Sequence, residues 1–116
     1  MTRLALLCGV SLVSSCLSPQ GEMQLRFPYT QVVGEYALQL TVNDVRQIVE
    51  LAKQRPDIRK PVGQIHAVGP AEVHVTTGRA WEVGGLYSQF DARKKAGRWI
   101  IEPGSVYTGR ATIVTG

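Results

Sequence analysis

The first sixteen residues place the strongest constraint on the fold, because their composition separates them from the rest of the chain. One positive charge at Arg3 precedes an apolar run from Leu4 to Val13, and small residues then lead to Cys16. A short apolar run between a basic residue and small residues is the layout of a secretory signal. The run is too short for a membrane-spanning helix, which needs roughly 20 apolar residues. We therefore predict that residues 1–15 are a signal peptide.

The segment Val13-Ser14-Ser15-Cys16 resembles the lipobox of bacterial lipoproteins. The resemblance implies that the signal is cut before Cys16 and that this cysteine receives the lipid. Leu17 follows the cysteine, which by analogy with other lipoproteins implies the periplasmic side of the outer membrane in a Gram-negative host. A cleaved signal without lipid is the alternative, because small residues precede both kinds of cleavage site. Prolines and glycines further on predict that residues 16–31 are the lipidated cysteine and a linker.

The remaining chain of about 100 residues is long enough for one compact domain and too short for two. We therefore predict a single domain over residues 32–116. The formal net charge of +4 falls by one with the leader, which is a mild excess. Basic residues cluster around Arg59 and Lys95 in predicted turns, without a nucleic-acid-binding motif, so no nucleic acid partner is expected. Contact with anionic lipid headgroups stays open, because a basic residue close to a membrane adds about 1 kcal/mol.

The clearest element is a helix after a predicted strand. Apolar residues alternate with polar or small ones over Val32–Leu40, as in a half-buried strand. Thr41 and Asp44 then have the spacing of a capping box, which marks a helix start. Apolar side chains recur at helical spacing from Val42 to Ala52. Pro56 predicts the end of the helix, because the residue before a proline avoids the helical conformation.

A first hairpin is predicted from Val62–Val68 and Glu72–Thr77. A slip of one residue would turn the apolar side chains of one strand to the wrong face, so the apolar pattern restricts the register. A connection of odd length, such as Gly69–Ala71, keeps both apolar sets on one face. One such register sets His66 opposite His74.

A second hairpin is predicted over residues 86–102, with Arg93 opposite Arg98 and a turn at residues 94–97. A last short strand is expected to begin near Val106. The predicted core combines the apolar faces of the helix and the hairpins: Val45, Ile48, Val49, Ala52, Ile65, Val73, Val75, Phe90, Trp99 and Ile101.

This element order predicts an α+β fold, in which one helix packs across a four- to five-stranded antiparallel sheet. The order, with the segment Phe90–Ile101, resembles the cystatin-like superfold, which includes nuclear-transport-factor-like domains. The resemblance implies the order β-α-β-β-β-β, and it leaves inhibitor, binding and enzymatic functions open. Gln31–Gly34 is similar to the inhibitory loop of cystatins. Its glycine comes one residue early and the segment precedes the helix, so we do not expect protease inhibition.

The two histidines, His66 and His74, are candidates for a metal site together with Glu72. Two imidazoles and a carboxylate can bind zinc, and one histidine can act as a general base. A catalytic zinc site takes three protein ligands in a sheltered cavity, whereas this face is predicted to point away from the helix. Polar surface residues are therefore the favoured interpretation. We predict no metal, no cofactor and no catalytic residue.

Trp81 lies in a glycine-rich segment between the hairpins and is the candidate partner-binding residue. Glycines let a backbone approach a ligand closely, and an exposed tryptophan is a good anchor at an interface. The alternative is a tryptophan folded over the edge of the core. We expect a non-enzymatic binding or assembly module that associates with an envelope protein. The alternative function is a small-ligand-binding or enzymatic domain of nuclear-transport-factor-like type, which needs a hollow between helix and sheet.

Overall fold

The computed structural model describes residues 19–112, so the predicted signal peptide and Cys16 lie outside the described residues. The fold is α+β, as predicted, with one main helix and a mixed, open sheet of six strands. Its elements are α1 (Pro19–Arg26), β1 (Gln31–Val33), a 3-10 helix (Ala37–Gln39), α2 (Val42–Lys53), β2 (Val62–Gly69), β3 (Glu72–Gly78), β4 (Leu86–Lys95), β5 (Arg98–Ile101) and β6 (Tyr107–Arg110).

The sheet has the strand order β1-β2-β3-β4-β5, and β6 pairs with β4 beside β5. Strand β4 is ten residues long, so β5 pairs with its second half and β6 with its first half. Strands β2 to β6 pair in antiparallel fashion, whereas β1 runs parallel to β2. The predicted packing of one helix on a sheet is confirmed, but the sheet has six strands rather than four to five and β1 is parallel rather than antiparallel. The chain crosses through α2 between β1 and β2, a connection long enough to join two parallel strands.

Helix α2 begins at the predicted capping box. The backbone N–H of Asp44 donates to Thr41 Oγ1 at 3.0 Å, and the backbone N–H of Thr41 donates to Asp44 Oδ2 at 2.9 Å. These bonds satisfy donors that the first turn of a helix leaves without partners. Buried Val45, Ile48 and Ala52 form the apolar stripe of the helix that joins the core.

The core lies between α2 and the sheet, and most of the predicted set is buried there. Val49 and Ile101 of that set are only partly buried. Six further buried apolar residues extend the core: Met23, Leu40, Ile58, Val62, Ala67 and Ala92.

The register of the first hairpin is one of those that the apolar pattern allowed, with Ile65 opposite Val75 and His66 opposite His74. The register shifts after Ala67, so that Gly69 pairs with Glu72 and the connection is shorter than predicted. The register of the second hairpin differs, because Lys95 rather than Arg93 lies opposite Arg98. A two-residue turn of Ala96 and Gly97, both at positive φ, replaces the predicted four-residue turn. The two registers differ by an even number, so the predicted apolar face is kept.

The N-terminal part differs most from the predictions. Residues 19–26 form helix α1 instead of a linker, and Met23 of this helix is buried in the core. Pro19 occupies the first helical position, where a proline is well tolerated. The predicted strand over Val32–Leu40 is present only at its beginning, as β1. Strand β1 ends at Val33, because Gly34 follows with a φ of +106° and the chain then turns into the 3-10 helix.

Candidate functional site

The face of the sheet that points away from α2, here called the outer face, carries both histidines. Buried and more exposed residues alternate along β2 and β3, and the buried ones belong to the core. His66 and His74 alternate with these buried residues, and they lie directly across from each other on the outer face. The sequence predicted that the two histidines share this face, and direct apposition was one of the registers that it allowed.

His74 forms a side-chain pair with Asp91 on the neighbouring strand β4. The imidazole Nδ1 lies 2.7 Å from Asp91 Oδ1, and the two residues are register partners. A carboxylate at Nδ1 orients the ring and leaves Nε2 for another interaction. Asp91 was not among the candidate residues predicted from the sequence. Its position between buried Phe90 and Ala92 was the available signal, but the pairing of β3 with β4 was needed to bring it to His74.

Glu72 lines the same surface depression as His66 and His74, but its carboxylate is bound to an arginine and not to an imidazole. Its Oε2 accepts a hydrogen bond from Arg93 Nη2 at 2.8 Å, and Arg93 Nε lies 3.0 Å from Glu102 Oε2 in an ion pair without hydrogen-bond geometry. The His66 ring packs over Gly34, where an added Cβ would lie 2.6 Å from His66 Cδ2. Within residues 19–112, no group of three or more His, Cys, Asp or Glu is placed to hold a metal ion.

Trp81 projects from the loop of residues 79–85, here called the Trp81 loop, and 69% of its surface is exposed. Its ring lies against the backbone of Gly63, since an added Cβ there would be 3.3 Å from Trp81 Cζ3. Backbone hydrogen bonds hold the loop, including Arg79 N–H to Leu86 O at 2.9 Å and Gly84 N–H to Ala111 O at 2.8 Å. The ring is therefore exposed on a loop of defined conformation.

A depression of about 420 Å³ lies beside the Trp81 loop, and we call it the basic depression. Four of its lining side chains are cationic and one is acidic. The lining consists of Arg59, Lys60, Arg79, Glu82, Val83, Gly84, Gly85, Leu86 and Arg110. The sequence did not predict this site, because its cations come from three segments that only the folded sheet brings together.

The hollow that an enzymatic domain of nuclear-transport-factor-like type needs would lie between helix and sheet. Here Ile48, Phe90 and Trp99 occupy this region as fully buried side chains. The tyrosines of the outer face are more open, and the rings of Tyr87 and Tyr107 lie 6.0 Å apart at an angle of 56°. Trp81, Tyr107 and the His74–Asp91 pair therefore lie on open surfaces.

Comparisons of the chain with protein-family models, with curated proteins and with solved structures find no match. Within residues 19–112, no helix has both the length and the apolar character needed to cross a membrane. The positions of Trp81, the His74–Asp91 pair and the basic depression are thus the observations that bear on function.

Proposed function

We propose that this chain is a small lipoprotein of the cell envelope that acts as a binding or assembly module. Trp81 is the observation that carries the binding role. A large exposed ring on a loop fixed by hydrogen bonds loses little conformational freedom when a partner covers it. Tryptophan is also among the residues that contribute most to binding energy at interfaces.

The outer face extends the surface around Trp81. The ring lies on Gly63, directly before Gln64 of β2, and the His74–Asp91 pair lies further along the same face. Exposed aromatic rings with adjacent polar groups are typical of adaptable protein interfaces. A small-molecule site, by contrast, is a cleft that encloses most of its ligand. The open arrangement therefore favours a macromolecular partner, and we propose an envelope protein.

The proposed anchor is the lipid on Cys16. Helix α1 begins three residues after this cysteine, a distance of at most about 11 Å for an extended chain. Such a short tether keeps the domain at the membrane surface, on the periplasmic side of the outer membrane in a Gram-negative host. Tethering raises the effective concentration of the module toward other envelope components.

Mass spectrometry of the membrane fraction from the native host tests the anchor. The expected N-terminal peptide begins at Cys16 and carries lipid. Replacing Cys16 by serine should abolish the modification, and the control Cys8→Ser, within the leader, should leave it unchanged. A chain that retains Met1, or an unmodified Cys16, would contradict the lipoprotein proposal.

Photo-crosslinking in cells tests the binding role. A photoreactive residue at position 81 should capture one discrete partner, which the same residue at Lys95, on the exposed second hairpin, should not capture. Trp81→Ala should weaken the isolated complex by about 2 kcal/mol or more if the ring is an anchor. Equal capture from both positions, or none from position 81, would contradict this role.

A further inference from the structure

We propose that the basic depression is a binding site for a phosphate group. The inference goes beyond the proposed function, because the phosphate site is distinct from the surface proposed to bind an envelope protein. Its cations, backbone and loop geometry all belong to the described residues.

The sheet topology brings the cations together. Residue pairs Val62–Thr77 and Leu86–Arg110 show that β2 and β4 begin at the end of the sheet where β3 and β6 finish. Arg59 and Lys60 precede β2, Arg79 follows β3, and Arg110 completes β6. Three segments distant in sequence therefore deliver four positive charges to one depression.

These charges have few acidic partners. Glu82 is the acidic side chain of the lining, and it is paired with Arg79 at 3.4 Å. Lys60 Nζ donates to the carbonyl oxygens of Arg55 and Ile58, at 2.8 and 2.9 Å, and these neutral acceptors leave its charge in place.

The same holds for the two remaining cations. Arg110 Nη1 donates to Gly84 O at 2.8 Å, again a neutral acceptor. The Arg59 guanidinium has no ion-pair partner among the described residues. Asp57 also attracts Lys60 electrostatically, but its carboxylate is bound to Arg55 by two hydrogen bonds of 2.9 and 2.7 Å. The depression therefore carries an excess of positive charge. Its cations repel one another, and a bound anion would reduce this repulsion.

The geometry of the donors favours phosphate over a single carboxylate. Three of the four cations are arginines, whose planar forks bind phosphate oxygens in pairs. Gly84 and Gly85 contribute backbone without side chains, so this part of the wall stays open. Gly85 cannot be replaced without movement, because an added Cβ would clash with the Arg79 carbonyl oxygen. The backbone on either side of Arg79 and Gly85 is also held by hydrogen bonds, so the loop wall is formed before a ligand arrives.

The surroundings indicate what the phosphate is attached to. Trp81 and Val83, each 69% exposed, belong to the same loop as Arg79. Exposed apolar side chains beside a phosphate site suit a phosphate ester with a further group to contact. Two sources share this chemistry, the headgroup of an anionic phospholipid and a soluble phosphate ester.

Thermal unfolding of the purified full-length chain tests the site with inorganic phosphate as the probe. A ligand that binds the folded state raises the unfolding midpoint, so phosphate should raise it above chloride at equal ionic strength. Arg59→Gln should weaken phosphate binding about tenfold, the loss expected for one charge-assisted contact. Lys95→Gln, which removes one exposed charge on the second hairpin, should respond as the unmodified chain does.

Three checks complete the experiment. Both variants should unfold at equal midpoints in chloride, because the Arg59 backbone N–H keeps its bond to Ser88 Oγ at 2.9 Å. An equal response of the two variants to phosphate, or no response of the unmodified chain, would overturn the site. If Arg59→Gln unfolds at a lower midpoint in chloride, the phosphate affinities of the folded variants are measured by isothermal titration instead. Arg59→Gln must then bind phosphate about tenfold more weakly than Lys95→Gln.

Two competition arms separate the sources. Vesicles of phosphatidylglycerol that compete with phosphate, where phosphatidylcholine vesicles do not, identify the headgroup. Competition by glycerol phosphate alone identifies a soluble ester, and both results support the site. Phosphate binding without a cross-linked partner at position 81 would count against the proposed function alone. A partner at position 81 without phosphate binding would overturn this inference alone.

Discussion

The indole Nε1–H of Trp99 donates a hydrogen bond to Asp44 Oδ1 at 3.0 Å, across a separation of 55 residues in the chain. The same carboxylate oxygen accepts a hydrogen bond from Lys94 Nζ at 2.9 Å. Asp44 therefore closes the first turn of α2 and also joins it to β4 and β5. The largest buried side chain is thus held by packing and by a buried polar contact together.

Two substitutions of Trp99 should separate the contribution of packing from that of the hydrogen bond to Asp44. Trp99→Ala is expected to lower the free energy of unfolding by about 3 to 5 kcal/mol, because it removes a fully buried ring. Trp99→Phe keeps much of the ring and loses the Nε1 donor, for an expected cost of about 1 to 2 kcal/mol. Denaturant unfolding measures both. A loss below about 1 kcal/mol for the alanine variant would contradict the burial of Trp99.

Asp44 should make stability depend on pH in the acid range. Burial raises the pKa of this carboxyl, but hydrogen bonds from Thr41, Trp99 and Lys94 outweigh it and hold the pKa below the ordinary value of 3.8. Because the folded-state pKa is lowered, the stabilisation is complete above that ordinary value and is lost as the pH falls through the lowered one.

Replacing Asp44 by asparagine should therefore lower the stability at neutral pH. The variant should also lose less stability than the unmodified chain as the pH falls into the acid range. The control is Glu35→Gln, at an exposed position, which should leave the acid dependence unchanged. Unfolding midpoints measured from pH 7 down to acid test this. An unaltered acid slope in the asparagine variant would show that Asp44 does not carry the dependence.

The parts of the fold that the sequence predicted are those determined by local signals or by a single apolar face. The capping box of Thr41 and Asp44 acts over three residues, so the start of α2 was readable. The apolar pattern of the first hairpin likewise placed Ile65 and Val75 on the core face and His66 outside, and the structure has one of the registers that do so. In the second hairpin, registers that differ by two bury the same residues. The apolar pattern therefore could not choose between Arg93 and Lys95 as the partner of Arg98.

The candidate site was predictable only in part, for the same reason. His66 and His74 share a hairpin, so the apolar pattern placed them on one face, and one of the allowed registers set them opposite each other. Asp91 reaches His74 through the pairing of β3 with β4, which the predicted hairpins did not include. The basic depression forms where three segments distant in sequence meet at one end of the sheet, and no local sequence pattern predicts this meeting.

The turn of the second hairpin offers a test of its register. Ala96 has a φ of +50° and Gly97 a φ of +78°, a combination typical of a two-residue hairpin turn. A left-handed conformation is costly for alanine and easier for asparagine. Ala96→Asn should therefore raise the free energy of unfolding by about 0.5 to 1 kcal/mol, and Gly97→Ala should lower it by about 1 kcal/mol. Equal stability of all three proteins in denaturant would contradict this turn.

Helix α1 offers the last test, which asks whether residues 19–26 belong to the folded domain. Met23 is only 7% exposed and joins the core, whereas Leu25 on the same helix is 70% exposed. Met23→Ala should lower the free energy of unfolding by about 2 kcal/mol, near the lower end for a buried methionine, because the helix lies at the margin of the core. Leu25→Ala should change it by no more than about 0.5 kcal/mol, as is usual at the surface. Equal and small effects of both substitutions would mean that this segment is a linker after all.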